Sequence, residues 1–314
     1  MARDGNRIAI IGAGHVGATA AYALMLRALF REIVLIDTDM ALAGAEAADL
    51  SDASAMARPA HIWAGSYADA ASAHIAVITA GAATHGTATR LSVAAKSAAI
   101  VTKCVGCLIE AGFTGVIVVA ANPVDLMALT AFRRSGLPAS QVIGTGTLLD
   151  SSRLRQVLAE RLDVAAISVE AQVLGEHGDS EVAAFSTARV GGLDLDRFTG
   201  GTDRPDKVQL GREVRDAGYA IVAGKGYTSF GVATAIVRIC EAIVRDERSV
   251  LPVSTLASGQ FGITDIYLSL PCIVGRDGIV DVLSPRLSPV EEQALLASAE
   301  VLRVASAAIR IAPG

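Results

Sequence analysis

Four short runs of Ile, Val and Ala, separated by longer alanine-rich stretches, constrain the fold of this 314-residue chain more than any other feature. The runs span residues 7–11, 33–36, 75–79 and 116–120. They are apolar at nearly every position rather than at alternate positions, which is typical of strands that are covered on both faces. Parallel strands connected by crossover helices are covered in that way. The sequence therefore predicts an α/β fold whose first half is a doubly wound parallel sheet of the Rossmann type.

The pattern changes after about residue 145, where shorter segments begin to alternate. Residues 167–174 and 181–190 are typical of antiparallel strands, and residues 266–283 predict a β-hairpin around an Asp-Gly turn. We therefore predict two domains. A doubly wound domain over residues 1–145 is followed by an α+β domain with antiparallel strands over residues 146–314.

Composition excludes several classes of protein. The chain carries 27 basic and 32 acidic residues, a net charge of −5, whereas binding to nucleic acid relies on a basic surface. No window of about 18 consecutive apolar residues predicts a membrane span, and the first residues contain no apolar signal segment. The cysteines number four, too few for a disulfide scaffold, and no group of Cys and His has the spacing of a metal site. We expect a cytoplasmic protein with no nucleic-acid, membrane or metal partner.

The segment Gly12-Ala13-Gly14-His15-Val16-Gly17 follows the first predicted strand directly and precedes a helix. Glycines at this spacing permit a tight turn and a close approach of the backbone to a pyrophosphate, which the N–H groups of the helix N-terminus then bind. Asp37 ends the second predicted strand, at the distance where an acid accepts hydrogen bonds from a ribose. A carboxylate there would repel a 2′-phosphate. The pattern predicts NAD rather than NADP as the bound dinucleotide.

Other segments carry side chains suited to acid–base chemistry and to binding a carboxylate. His177 lies in the glycine-flanked segment Gly175-Glu176-His177-Gly178-Asp179. Asp150 and Arg153 are spaced to share one face of a predicted helix. Asn122 follows the fourth strand, at the edge of the sheet where doubly wound proteins bind ligands. Arg90 follows a Gly- and Thr-rich stretch that predicts a mobile loop.

In their order and spacing, these segments resemble the L-lactate/malate dehydrogenase family, and they are closest to its L-lactate members. The resemblance covers nearly the whole chain and rests on the segments GAGHVG, LIDTD, ITAGA…TR, ANPVD, LLDSSRLR, LGEHGDS and GKGYTSFG. It implies an NAD-dependent oxidoreductase that interconverts a 2-oxo acid and an L-2-hydroxy acid, with pyruvate and L-lactate as the default pair. It also implies an NAD-binding domain over residues 1–145, a catalytic domain over residues 146–314, and a homotetramer or homodimer.

The resemblance assigns a role to each matching residue. His177 would act as acid and base toward the substrate oxygen, Asp150 would orient it, and Arg90 would polarise the carbonyl. Arg153 would bind the substrate carboxylate through its planar guanidinium. The other residues expected to contact substrate are Asn122, Thr228 and Thr84. The residues expected to contact NAD are Gly12, Gly14, His15, Val16, Gly17, Asp37, Thr79, Ala80, Gly81 and Asn122.

Thr84 departs from the family pattern and leaves the substrate open. L-lactate enzymes usually have glutamine at this loop position, and malate enzymes have arginine, which pairs with the second carboxylate. Threonine supplies no positive charge, so malate is disfavoured as the main substrate. A malate dehydrogenase stays an alternative if His85 or another cation takes the place of the arginine. Because Thr84 and Gly231 are small, a bulkier 2-oxo acid or a related imino acid is an alternative to pyruvate. A non-catalytic NADH-binding module is a further alternative. Such a module would need the glycine loop but no proton donor, so the presence of His177 with Asp150 and Arg153 disfavours it.

A second departure from the family pattern concerns regulation. Many bacterial L-lactate dehydrogenases bind a sugar bisphosphate through an arginine and a histidine. In this chain Arg155 matches the arginine, whereas Glu170 replaces the histidine. Because a carboxylate repels a phosphate, we predict no strong activation by fructose 1,6-bisphosphate.

Overall fold

The computed structural model describes residues 6–82, 90–200 and 206–309, with residues 90–92 described for their backbone alone. The strands are β1 (Arg7–Ile11), β2 (Glu32–Ile36), β3 (His61–Ala64), β4 (Ile75–Ile78), β5 (Val116–Val119), β6 (Val142–Gly144), β7 (Val169–Glu170), β8 (Val173–Leu174), β9 (Val182–Ala183), β10 (Arg189–Val190), β11 (Leu193–Asp194), β12 (Ser249–Ser258), β13 (Thr264–Gly275) and β14 (Gly278–Val282). The helices are α1 (His15–Leu26), α2 (Met40–Met56), α3 (Tyr67–Ala70), α4 (Arg90–Glu110), α5 (Val124–Ser135), α6 (Leu148–Leu162), α7 (Leu195–Phe198), α8 (Lys207–Lys225), α9 (Phe230–Val244) and α10 (Pro289–Ala308).

A mixed sheet runs through the described part of the chain and joins its two halves. Its strand order is β14-β13-β12-β6-β5-β4-β1-β2-β3. The strands from β6 to β3 are parallel and follow the order of a doubly wound nucleotide-binding sheet. Strands β12, β13 and β14 continue the sheet as antiparallel strands. The predicted fold class, a Rossmann-type sheet followed by antiparallel strands in the second half, is therefore confirmed.

The continuous apolar runs of the parallel strands fill two core layers, one on each face of the sheet. On β1, Ile8 and Ile10 belong to the layer beneath α1 and α9. Ala9 and Ile11 point the other way, into the layer beneath α4, α5 and α10. All four residues are buried. Coverage on both faces explains why these strands lack the alternation that a half-exposed strand would show.

The second half also contains two small antiparallel sheets, β11-β10-β7 and β8-β9. Their strands are only two residues long. The hairpin predicted over residues 266–283 is confirmed as β13 and β14. No helix within the described residues is long and apolar enough to cross a membrane.

The sequence patterns predicted four of the parallel strands but not β3 or β6. Strand β3 lies at the edge of the sheet and begins with the exposed His61, so its burial pattern is incomplete. Strand β6 has three residues and ends in Gly144, whose missing Cβ allows Ser254 of β12 to approach. Only the pairing of β3 and β6 with neighbouring strands identifies them as strands, and a local sequence pattern does not contain that information.

Candidate active site

The loop between β1 and α1 is shaped to bring backbone N–H groups to a ligand. Gly12 has a φ of 108°, and a Cβ atom there would lie 2.6 Å from the backbone nitrogen of Ala80. Gly14 caps α1 without a side-chain hydrogen bond, and the described residues leave open space where its Cβ would stand. The first N–H groups of α1 are therefore available to an anion such as a pyrophosphate.

Asp37 lies directly after β2 and faces the glycine loop. Its Oδ2 atom accepts a hydrogen bond from the Ala13 N–H at 2.7 Å, and its Oδ1 atom accepts one from the Asp39 N–H at 2.9 Å. Thr79, after β4, donates its hydroxyl to the Gly12 carbonyl at 2.7 Å. The helix N-terminus suits a pyrophosphate and the carboxylate suits a ribose, so the residues present fit NAD.

The remaining predicted cofactor residues follow the carboxyl ends of the same strands. His15 and Val16 begin α1, and Ala80 and Gly81 come directly after β4. Asn122 comes shortly after β5, where it is exposed. Because parallel strands end at the same edge of a sheet, these residues line one side of the molecule with the glycine loop.

The glycine loop also contacts the second half of the chain. The ring of His15 stacks on Tyr227, with centroids 4.0 Å apart and planes at 12°. Lys225 completes this contact, since its Nζ atom lies 4.4 Å from the centroid of the Tyr227 ring. Thr228, a predicted substrate residue, follows Tyr227 and is half-buried. The stacking therefore holds Thr228 near the loop that fits the cofactor.

His177, Asp150 and Arg153 form one hydrogen-bonded cluster. Asp150 lies in the first turn of α6, and its Oδ2 atom is 2.6 Å from His177 Nδ1. Its Oδ1 atom accepts a hydrogen bond from Arg153 Nη1 at 2.8 Å. The side chain of Asp150 is 2% exposed, whereas that of His177 is 28% and that of Arg153 is 17% exposed. A buried carboxylate thus holds two groups that both remain accessible to a small ligand.

The loop that carries His177 is fixed by a second buried carboxylate. The His177 backbone N–H donates to Asp125 Oδ2 at 2.8 Å, and the Ser254 hydroxyl donates to Asp125 Oδ1 at 2.5 Å. Asp125 lies in the first turn of α5, just beyond Asn122. Two protein donors satisfy this carboxylate, as a buried acid requires. The contact brings His177 toward the end of β5 and hence toward the edge that fits NAD.

The electrostatics of the cluster favour a charged histidine. Burial alone would lower the pKa of His177, but the charge and the hydrogen bond of Asp150 outweigh it, so that this pKa is raised to about 9. Burial opposes ionisation of Asp150 in turn, yet His177 and Arg153 hold its pKa below the usual range of an aspartate. At neutral pH the pair is therefore an imidazolium facing a carboxylate.

Sequence reasoning missed two acids of this site. Asp125 belongs to the recognised segment ANPVD, but its contact with the His177 backbone depends on tertiary structure. Glu181 follows the segment LGEHGDS, and no spacing rule marks it. Among the described residues, Asp150, His177 and Glu181 are the group whose ligand atoms lie close enough to hold a metal ion, within 4.8 Å of one another.

The side chains of two predicted residues, Thr84 and Arg90, lie outside the described part of the chain. Two others, Arg155 and Glu170, lie beside the same cavity. Thr84 lies outside the described residues, as does the loop predicted to be mobile, and Arg90 begins α4 with its side chain outside the described part. Arg155 and Glu170 line one cavity of about 390 Å³. The two residues on which we based the expected lack of activation by fructose 1,6-bisphosphate thus line the same pocket, and the expectation stays a prediction.

The sheet and its glycine loop define a class of protein, the dinucleotide-binding proteins. Residues 6–144 match the model of the lactate/malate dehydrogenase NAD binding domain, and residues 147–309 match that of the family's alpha/beta C-terminal domain. The chain belongs to the lactate/malate dehydrogenase family, and its cofactor is NAD. The resemblance inferred from the sequence motifs, the enzyme class and the cofactor are thereby confirmed.

Relatives with L-lactate dehydrogenase names match along almost the full length. The L-lactate dehydrogenase of Priestia megaterium is 41% identical over 301 residues, which are 95% of each chain. That of Thermus aquaticus is 41% identical over 307 residues, 96% of this chain and 99% of the relative. The structure of the minor L-lactate dehydrogenase of Enterococcus mundtii with ligands bound superposes with a TM-score of 0.95, at 35% identity over 98% of this chain and 99% of the other.

Proposed function

We propose that this protein is an NAD-dependent L-2-hydroxy acid dehydrogenase whose default substrates are pyruvate and L-lactate. The observation that carries the proposal is the cluster of His177, Asp150 and Arg153. In this cluster the buried carboxylate of Asp150 is hydrogen-bonded both to Nδ1 of the accessible His177 ring and to the accessible guanidinium of Arg153. Reduction of a 2-oxo acid needs a hydride, a proton and a cation for the carboxylate. The names of the relatives support the same substrate pair.

Bound NADH supplies a hydride from its nicotinamide ring. While C2 of the 2-oxo acid accepts that hydride, the carbonyl π pair moves onto the oxygen, which takes the Nε2 proton of His177. Since Nδ1 faces Asp150, Nε2 is the ring nitrogen left to exchange a proton with the substrate. Asp150 stabilises the imidazolium before the transfer and orients the neutral ring after it. In the oxidation of a 2-hydroxy acid, His177 takes the proton back.

The roles of the other site residues follow from the functional group that each side chain carries. Arg153 binds the substrate carboxylate, because its guanidinium can donate two parallel hydrogen bonds. Asn122 and Thr228 contact the reacting oxygen and the substrate pocket, and Arg90 polarises the carbonyl. We assign the NAD-binding domain to residues 1–145 and the catalytic substrate domain to residues 146–314, with Asn122 and Arg90 reaching the substrate from the first domain.

The test is NADH oxidation with a panel of 2-oxo acids: pyruvate, oxaloacetate, 2-oxobutyrate, 2-oxoisocaproate and phenylpyruvate. The highest kcat/KM is expected for pyruvate. His177→Asn should lower turnover by orders of magnitude and preserve NADH binding, measured by quenching of protein fluorescence. Loss of both together, or of neither, would contradict the role of His177. An NADH-binding module without catalysis would bind the cofactor and turn over no member of the panel.

A bulkier 2-oxo acid is the second candidate, and Gly218 favours it. Gly218 lies in the middle of α8, and a Cβ atom there would stand 3.8 Å from both terminal nitrogens of Arg153. Its φ is not positive, and 3.8 Å is an ordinary contact distance. Neither the backbone conformation nor crowding therefore requires a glycine at this position. The missing side chain leaves room beside the guanidinium that would bind the substrate carboxylate. A kcat/KM maximum at 2-oxoisocaproate or phenylpyruvate would support this candidate over pyruvate.

We also propose that the chain forms a homodimer or homotetramer. The last turns of α8, residues 219–225, are exposed on every side, although the segment is mostly apolar. Ile221 and Val222 there, and Phe230 at the start of α9, are 41%, 44% and 71% exposed. Apolar surface of this kind is typical of an interface. Light scattering coupled to gel filtration gives the mass, and Ile221→Asp should shift it toward that of a monomer.

A further inference from the structure

The carboxylate of Glu181 lies beside the catalytic pair. Glu181 precedes β9, and its backbone N–H donates to the Gly178 carbonyl at 3.2 Å, which closes a turn after His177. A carboxylate oxygen of Glu181, a ring nitrogen of His177 and a carboxylate oxygen of Asp150 lie within 4.8 Å of one another. The proton transfer described above uses only the last two of these groups.

Charges from three helices, as well as from its own loop, act on Glu181 and on its histidine neighbour. The charged groups that face Glu181 are Asp150, His177, Arg153 and Arg215, and Asp125 also faces His177. Carboxylates and cations this close titrate together, because the charge of each depends on the others. A neighbouring cation favours the ionised form of each acid, and the charge of one acid opposes ionisation of the other.

We propose that Glu181 is a positioning residue that keeps His177 protonated at alkaline pH. The negative charge of the ionised Glu181 carboxylate, within 4.8 Å of a ring nitrogen, holds the proton on the imidazole. The inference rests on the proposed function, in which His177 passes that proton to a 2-oxo acid. In this role Glu181 acts through His177 and needs no contact with the substrate.

The surroundings of each group shift its pKa upward. Burial, and after it the charge of Asp150, raise the pKa of Glu181 to about 8. Burial lowers the pKa of His177, but Asp150 outweighs burial, and Asp125 and Glu181 add to its effect, so that this pKa reaches about 9. Glu181 and His177 therefore titrate as a coupled pair, in which the ionised carboxylate holds the proton on the ring.

The size of the effect can be worked from the separation. Coulomb's law at 4.8 Å corresponds to about 0.6 of a pH unit in water and about 2.5 units at an effective dielectric of about 20. The side chain of His177 is 28% exposed, which places the effect between these limits. We expect Glu181→Gln to lower the pKa of His177 by about one unit. Reductive kcat/KM should then fall about fivefold at pH 9 and stay unchanged at pH 6.5.

Two measurements test the proposal. The first is an NMR titration of the apoenzyme with labelled histidines, in which His177→Asn identifies one of the five signals. The second is the pH profile of kcat/KM for 2-oxo acid reduction at saturating NADH. Glu181→Asp keeps the charge and should retain most of the native behaviour. Glu213→Gln is the matched control, because it removes a carboxylate of α8 that pairs with Arg161, away from the cluster.

The proposal holds if Glu181→Gln lowers the His177 pKa and moves the alkaline limb of the profile by the same amount, while Glu213→Gln moves neither. It is overturned if the His177 pKa is unchanged in a Glu181→Gln protein that unfolds at the native temperature. A purely structural role would change the unfolding temperature and leave the titration alone. Since the titration needs no substrate, failure of the native protein to reduce any 2-oxo acid would reject the proposed function separately.

Discussion

Replacing Asp150 by asparagine removes the charge that keeps His177, the proposed acid and base, protonated. The Asp150 carboxylate is 2% exposed and lies 2.6 Å from His177 Nδ1, and it is the main group that raises the His177 pKa to about 9. Without it, burial is opposed only by Asp125 and Glu181. We therefore expect the pKa of His177 to fall to its ordinary value of 6.5 or below, a shift of at least about 2.5 units.

This shift sets the smallest loss of activity that Asp150→Asn should cause. At pH 7.5 a histidine with a pKa of about 9 is almost fully protonated, whereas one with a pKa of about 6.5 is about one-tenth protonated. Reductive kcat/KM should therefore fall at least about tenfold from protonation alone. Loss of the orientation that Asp150 gives to the ring adds to this, and a total of about 10⁴ would match the removal of a histidine-orienting aspartate elsewhere.

The assay is the pH profile of kcat/KM for pyruvate at saturating NADH. In the native enzyme, activity should fall as the pH rises through about 9, because reduction consumes the His177 proton. In Asp150→Asn the same fall should occur near pH 6.5 or below. Asp163→Asn is the control, since it makes the same change at the exposed C-terminal cap of the same helix. An alkaline limb that stays near pH 9 in Asp150→Asn would refute the reasoning.

Three further outcomes are expected. Asp37→Ser should lower the ratio of kcat/KM with NADH to that with NADPH at least about tenfold, because the carboxylate that repels a 2′-phosphate is lost; an unchanged ratio in steady-state kinetics would count against the cofactor site. Gly218→Val should lower kcat/KM for 2-oxoisocaproate about tenfold or more relative to pyruvate, since it fills the space beside Arg153; equal losses would remove Gly218 from the specificity argument. Fructose 1,6-bisphosphate should leave the rate within about twofold, because Glu170 repels a phosphate; strong activation in a titration would contradict this.

Local sequence was sufficient to predict the parallel sheet and most of the cluster. The runs of Ile and Val predicted β1, β2, β4 and β5, because burial on both faces leaves a signature within a single strand. The glycine spacing and Asp37 predicted a cofactor edge, because a turn and a helix start are themselves local features. Asp150 and Arg153 were paired by their helical spacing, and their hydrogen bond is present. Their link to His177 came from family resemblance, not from spacing.

The rest of the site depends on contacts between distant segments. Asp125 and Glu181 are ordinary acids in sequence, and only the folded chain brings one to the His177 backbone and the other to its ring. The same holds for β12, which pairs with β6 and so joins the second half to the first sheet. The stacking of His15 on Tyr227 likewise joins two segments far apart in the chain. No spacing rule reaches over such distances.

The extension of the sheet explains why Asp150 and His177 are positioned so closely. Ser269, buried on β13, accepts the Thr147 N–H at 3.0 Å through its hydroxyl and pairs through its backbone with Gly175. Thr147 begins the helix that carries Asp150, and Gly175 begins the loop that carries His177. One strand residue therefore anchors both segments, although their side chains belong to residues 27 apart in sequence. Because β13 is hydrogen-bonded through β12 to the parallel strands, His177 is held in register with the edge that fits NAD.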